Sequence, residues 1–498
     1  VRTALVGSLF LLVASCTTAP ALARYLDKIE RHLGRMIESG RDRYGERSTG
    51  LWLASVDIRQ GGQAEPPPKT SRRTYRTIHA PHGSTLYWDQ ALIAFAMALS
   101  DKTGDPAYRA AAEDYIRDFL ACCIDDEHTG MFEWGNHLYY DVFTDSLADI
   151  FEPIHEIRPM TPAWGMFWEI DPAATEREIR AAAAGHVLDA ETGLFNRHAL
   201  TGPQAAELSK GEPMPFLAAG GSLAESLAWL ASQGGADAEK LTERALAVAR
   251  YSFSKRDAAT GLVPTQPVVQ RWDSRVATTE TGLWAGALLR AWRLTGREEL
   301  VEMARASVAA YLETGWDAEA QRYYGMLRIA DGTPESERTT EWQPSLHSDV
   351  WEPLFPSHDY PLAFAETCLT LWEIDRDERF AACARRWIEQ IRAQMPPRYP
   401  RDSITDAEIQ RGSFAENYGR AIHFLVRAAR ALEEPAALRL AHEVAADAAA
   451  TLWVEQAGMF RSHPGDDRAD AVDGLGYLFA ALAYLETGEE WDLGGMAF

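Results

Sequence analysis

The chain has 498 residues, and 73 acidic against 49 basic side chains give it a formal net charge of −24. That balance excludes nucleic acid as a partner, because phosphate binding needs a basic face. It leaves room for an anionic substrate, since a few arginines can line a cleft in an acidic protein. An apolar fraction of 46% beside 24% charged residues is that of an ordinary globular protein able to bury a large core.

Val1 to Ala23 reads as an export signal. Arg2 supplies the positive start, and Ala4 to Ser15 is an apolar stretch too short to span a bilayer. Val13-Ala14-Ser15-Cys16 has the form of a lipobox, which would make Cys16 a lipid anchor, whereas Ala21-Leu22-Ala23 is a small-residue site for ordinary cleavage. The expected location is outside the bacterial cytoplasm, either periplasmic or anchored to the outer membrane. Residues 24–498 are expected to form one catalytic domain.

Helix-period apolar patterns dominate that domain. A first helix is expected over Leu26–Arg43 and a last over Gly474–Leu485. Between them an apolar helix, a short turn and a more charged helix recur. The clearest pairs are Ala91–Leu99 with Tyr108–Leu120, Leu283–Leu294 with Leu300–Leu312, Phe364–Trp372 with Phe380–Ile391, and Ala421–Leu432 with Leu438–Trp453. Pro106 and Pro435 sit where helix starts tolerate proline. After the second helix a signature returns, as Thr129-Gly130-Met131-Phe132, Thr192-Gly193-Leu194-Phe195, Thr260-Gly261-Leu262-Val263 and Ala457-Gly458-Met459-Phe460, with a weaker form at Tyr324-Gly325-Met326-Leu327. Its early spacing of roughly 65 residues fits two helices and a loop. About fourteen helices in all predict an all-α (α/α) barrel, (α/α)7 or alternatively (α/α)6, with the first and last helices closing the ring. An open solenoid is the structural alternative.

Besides Cys16 there are Cys122, Cys123, Cys368 and Cys383, with neither CxxC nor zinc spacing. Cys368 and Cys383 lie almost level across a hairpin turn, as a disulfide or as two buried thiols.

The loops after the second helices are the first suspects for function. Four of the chain's 13 histidines, His137, His155, His186 and His198, fall on or between two of them. His186, after a run of alanines, reads as a packed core residue. His155-Glu156 reads either as a surface pair or as part of a site. Asn196-Arg197-His198 follows a repeated apolar anchor and has no packing purpose. Trp88 and Trp134 offer flat faces for sugars, and Tyr139-Tyr140 adds aromatics.

Asn, His, Tyr and Arg without an obvious acid pair suit β-elimination from a uronic acid. The carboxylate must be neutralised before the C5 proton can leave, and Asn196 and His198, helped by Arg197 or Arg271, could do that. Tyr324, or less readily Tyr323, would serve as acid, with His137 or His155 as the alternative base. The competing chemistry is a glycoside hydrolase on the same barrel, drawing two carboxylates from Asp89, Asp141, Glu156 and Asp349. A sugar epimerase, a zinc enzyme built on the histidines, and a glycan-binding lipoprotein are further alternatives, although helical HExxH is absent.

Gly83-Ser84-Thr85-Leu86-Tyr87-Trp88-Asp89-Gln90, Trp134-Gly135-Asn136-His137, His155-Glu156-Ile157-Arg158 and Phe195-Asn196-Arg197-His198 together resemble polysaccharide lyase family 38, the alginate and glucuronan lyases. The pattern departs at Asn136, Arg158 and Ala199, where glycine, lysine and glycine would be expected. The resemblance implies an (α/α)7-type barrel and metal-independent elimination on a uronate polymer. The reading is therefore an exported lyase with an anionic polysaccharide substrate, no cofactor and no metal ligands.

Overall fold

The computed structural model describes residues 24–65, 80, 82–135, 137–149, 153–203, 205, 213–268, 273–335, 346–351, 360–395, 414–465, 467–471 and 474–498. The export signal with Cys16, Asn136 and Arg271 lie outside them.

The described residues form fourteen α-helices: α1 (Tyr25–Ser39), α2 (Leu86–Thr103), α3 (Pro106–Cys122), α4 (Trp164–Ile170), α5 (Pro172–His186), α6 (Leu217–Ser232), α7 (Ala238–Ser254), α8 (Thr278–Thr295), α9 (Glu298–Thr314), α10 (Leu362–Asp375), α11 (Glu378–Ala393), α12 (Ala415–Ala431), α13 (Pro435–Leu452) and α14 (Leu475–Thr487). They pair as seven antiparallel hairpins, the last made by α14 with α1. The even-numbered helices line the inside. α6, α8, α10, α12 and α14 pack in succession, and α14 packs on α2. The short α4 completes the ring, because Gln90 of α2 accepts from the Ala163 N–H (2.8 Å) and the Trp164 indole donates to Ser226 of α6 (3.0 Å). The expected (α/α)7 ring closed by the chain's first and last helices is what forms.

Sequence explains the two layers. Inner helices are buried on almost every side, as in α14, where every residue from Leu475 to Leu485 is buried. Outer helices such as α11 bury one stripe, Phe380, Cys383, Ala384, Trp387, Ile388 and Ile391, and leave charges outside. The inner ring is tight because glycine stands at its crossings. A Cβ on Gly282 would lie 2.3 Å from Phe364 N, and one on Gly476 would lie 2.2 Å from Leu92 N. Turns within hairpins are short and capped: Asp105 accepts from Ala107 N–H beside Pro106, and Asp377 accepts from Arg379 N–H. On the hairpin of α10 and α11, Cys368 and Cys383 face each other as buried thiols, their sulfurs 3.1 Å apart.

All the long connections run from an outer helix to the next inner one, so they gather at one end of the ring, where the inner helices begin. The recurring Thr-Gly-Leu-Phe signature is the second strand of a small hairpin there. Leu194–Phe195 pairs with Val187–Asp189, and Met459–Phe460 pairs with Trp453–Val454. Its glycine has positive φ (77° at Gly193, 65° at Gly458) and its phenylalanine is fully buried. The weak copy is in a different register from the one the sequence suggested. Arg322–Tyr323 pairs with Trp316–Asp317, and Gln321 (φ 55°) takes the glycine's place. Tyr323 therefore takes the place of the phenylalanine, while Leu327, buried as well, lies on the strand Met326–Arg328 that pairs with Arg275–Ala277.

Candidate functional site

Two strands bring the site together. Ile154–Glu156 pairs antiparallel with His198–Leu200, placing Glu156 directly opposite His198 and His155 opposite Ala199. Side chains alternate along a strand, so Glu156 and His198 share one face while His155 takes the other. The preceding loop brings His137, whose ring meets that of His198 edge-on at 5.3 Å between centroids.

Glu156 is the centre of this face. Its carboxylate lies 3.8 Å from His137 Nε2, 3.4 Å from His198 Nε2, 3.3 Å from Arg158 and 3.5 Å from Arg197. Burial works to raise the carboxyl, but Arg158, Arg197 and His198 hold it well below the usual carboxylate range. Both arginines also rest on aromatic rings, Arg158 over Trp88 (5.2 Å) and Arg197 over Phe216 (4.2 Å). A group that sequence reasoning did not single out stands close by. Glu280, in the first turn of α8, accepts from the Ala218 N–H at the start of α6 (2.8 Å). Burial pushes it up to about 7, against the pull of Arg197 and Arg158.

The other face of the same strand is core. His186 Nδ1 is 2.8 Å from the Asn196 carbonyl. A carbonyl only accepts, so Nδ1 donates and His186 Nε2 is left to accept from His155 Nδ1, at 2.7 Å. His155 Nε2 lies 3.0 Å from Glu178, whose other oxygen accepts from Phe132 N–H. This chain holds the backbone of Asn196 still, and the Asn196 side chain accepts from His198 N–H (3.1 Å). His155 and His186 thus position the Asn196-Arg197-His198 segment and do not face the open end.

The remaining sequence candidates are dispersed. Trp134 is buried among Phe119, Phe132, Tyr87 and Phe167, so its face is closed to a sugar. Trp88 is only half-buried and donates to the Gly135 carbonyl. Tyr140 alternates to the side of its strand away from His137 and is buried. Tyr323 is fully buried and stacks on Trp387 at 5.2 Å. Tyr324, with its ring parallel to His347 (5.3 Å), sits beside Asp317 on the loop after α9. Desolvation and Asp317 raise its phenol, which therefore keeps its proton at neutral pH. The carboxylates weighed for hydrolysis do not converge. Asp89 is buried against the Tyr115 hydroxyl (2.9 Å), and burial raises it to about 8. Asp141 caps a turn at Phe143 and Thr144, and Asp349 lies beside Arg322.

His137, Glu156 and His198 each present one ligand atom within 4.8 Å of the others. Two imidazoles and a carboxylate are a donor set for a divalent transition ion. The fit is supported by Glu156 Oε2, which is buried without a hydrogen bond among the described residues. The sequence reading assigned no metal ligands, because these three residues have no shared local motif.

The family described as periplasmic pectate lyase matches residues 78–224, a span that contains His137, Glu156, Arg158, Arg197 and His198. Among solved structures the chain is similar to an α-1,6-mannanase from Salegentibacter sp. HEL1_6, with 10% identity, 93% of this chain and 99% of that one covered, and a TM-score of 0.45. It is also similar to an unsaturated glucuronyl hydrolase from Bacillus sp. GL1, with 14% identity, 82% and 98% covered, and a TM-score of 0.45. A third likeness is to a sugar epimerase from a ruminal bacterium, with 10% identity, 75% and 87% covered, and a TM-score of 0.48.

Proposed function

We propose that the chain is an exported lyase that cleaves a uronate-containing polysaccharide by β-elimination at the cluster around Glu156. The observation that carries this reading is the convergence of His137, His198, Arg158 and Arg197 on one buried carboxylate at the open end of the ring. The match to periplasmic pectate lyases over the same residues supports it and makes polygalacturonate the first polymer to try, ahead of alginate and glucuronan.

The chemistry follows from the charges. The C5 proton of a uronate is acidic only if the enediolate formed on the carboxylate is stabilised. A divalent cation held by His137, Glu156 and His198 would supply that stabilisation as a Lewis acid. Arg158 and Arg197 outnumber Glu156, and Glu280 beside them, raised to about 7, is only partly ionised at neutral pH, so the cluster is net positive and suits an anionic sugar. The inner helices begin at this end, and their N-terminal dipoles add to the same field. Asn196 sets the direction of His198 through its own side chain. Tyr324, protonated at neutral pH, is the residue proposed to protonate the leaving glycosidic oxygen, its phenolate then being re-protonated by the proton that leaves C5.

The test is ultraviolet absorbance of the conjugated C4=C5 double bond, followed on polygalacturonate, alginate and glucuronan with and without a chelator. Absorbance should rise on at least one polymer and fall when the chelator is present. New reducing ends without absorbance would mean hydrolysis and would overturn the reading.

A further inference from the structure

Four residues along the chain from Glu156, Met160 lies over an unusual group of donors. Arg420 of α12 is 3% exposed. Its guanidinium lies between the rings of Tyr360 (4.4 Å) and Tyr477 (4.3 Å). Nε and Nη2 both bond one oxygen of Glu416, at 3.0 and 2.9 Å. Nη2 also points at the Met160 sulfur (2.8 Å), and Nη1 is buried with no hydrogen-bond partner among the described residues. The Tyr477 hydroxyl donates to the same sulfur at 3.3 Å.

This is an expensive arrangement for a structural ion pair. A guanidinium has five N–H donors, and a thioether is a weak acceptor. Buried polar groups are normally satisfied, and each exception calls for a reason. Here two strong donors converge on a sulfur that can return little, and a third nitrogen has no acceptor among the described residues. The donors have the geometry of an oxygen site with a placeholder in it. Met160 is held through its backbone, whose carbonyl accepts from the Tyr87 hydroxyl (2.9 Å), so its side chain can turn while the loop stays. There is room for that, because Met160 also lines a cavity of about 390 Å³ with Gly282, Gly286 and Arg427.

We propose that Arg420 and Tyr477 form a carboxylate subsite, closed by Met160, that binds a second uronate of the polymer whose neighbour lies at Glu156. The inference rests on the uronate reading of that site. The spacing suits it, since four residues of extended chain reach at most about 14 Å, the span of a short oligosaccharide. A polyuronate carries a carboxylate on every unit, so a cation one or two units from the reacting sugar distinguishes the acid polymer from its methyl ester.

The experiment is calorimetric binding of galacturonate monomer, galacturonate trimer and the fully methyl-esterified trimer. In Met160→Gln the amide oxygen takes both donors permanently. The acid-over-ester preference for trimer should then fall about tenfold, the worth of one charge-assisted contact, while monomer affinity is unchanged. Met160→Leu, which cannot accept a hydrogen bond, should keep or increase the preference. Arg420→Met with Glu416→Met removes the pair without stranding a buried carboxylate and should lose the preference, with circular dichroism checking the fold. An undiminished preference in Met160→Gln would overturn the subsite. If the preference behaves as expected but no double bond ever forms, the elimination reading fails and the subsite stands.

Discussion

At the scale of single residues, neighbours in sequence do different work because a strand sends them to opposite faces. His155 and Glu156 are adjacent, yet one is locked to His186 and Glu178 while the other gathers His137, His198 and two arginines. This separates two kinds of mutant. His198→Ala should leave thermal stability nearly unchanged, reduce turnover by at least about 100-fold, and abolish any rise in melting temperature on adding manganese or zinc. His155→Asn should lower melting temperature first, because it breaks a buried chain of hydrogen bonds worth about 1–3 kcal/mol per orphaned group. Melting curves with and without metal, beside initial rates, distinguish them. Equal loss of melting temperature in both variants would remove the distinction between site and support.

At the scale of elements, glycine decides how closely the inner helices approach. Gly282 meets the backbone of Phe364 on the next inner helix, whereas Gly34 on the outer α1 has nothing within 4 Å of where a Cβ would be. Gly282→Ala should destabilise by about 1–3 kcal/mol or more, since backbone cannot give way as a flexible side chain can. Gly34→Ala should stabilise by about 1 kcal/mol through helix propensity. Denaturant midpoints of the two variants should move in opposite directions. The hairpins themselves were legible, because a 3.6-residue period, proline at a helix start and acidic caps are local signals. The repeat signature was legible too where glycine marked it. It was misplaced by a few residues at Tyr324, because Gln321 there adopts the positive φ that the reader expects of glycine.

At the scale of the whole molecule, closure also depends on charge buried inside the ring. Glu366 of α10 meets His423 (2.9 Å) and Arg427 (2.6 Å) of α12. Burial works to raise the Glu366 carboxyl, but the two cations bring it to about 2 from its ordinary 4.5. A carboxyl depressed on folding contributes stability above its unfolded pKa, and that contribution disappears as pH falls through the folded one. Unfolding free energy should therefore drop by roughly 3 kcal/mol between about pH 4.5 and 2 on account of this group. Glu366→Gln should lack that part of the acid dependence. Urea midpoints at stepped pH measure it, and an unaltered acid slope in the variant would exclude Glu366 as its source.

The sequence by itself determined what is local or periodic: the helical hairpins, their turns and the loops where polar residues collect. Only the tertiary structure decided which of those polar residues meet. Glu156 reaches His198 by strand pairing across a gap of 42 residues, and Arg420 reaches Met160 across the ring at a separation of 260. No local pattern encodes such distances, because they are set by ring closure and strand register. The same register that turned Glu156 toward the histidines turned His155 away, toward His186 and Glu178.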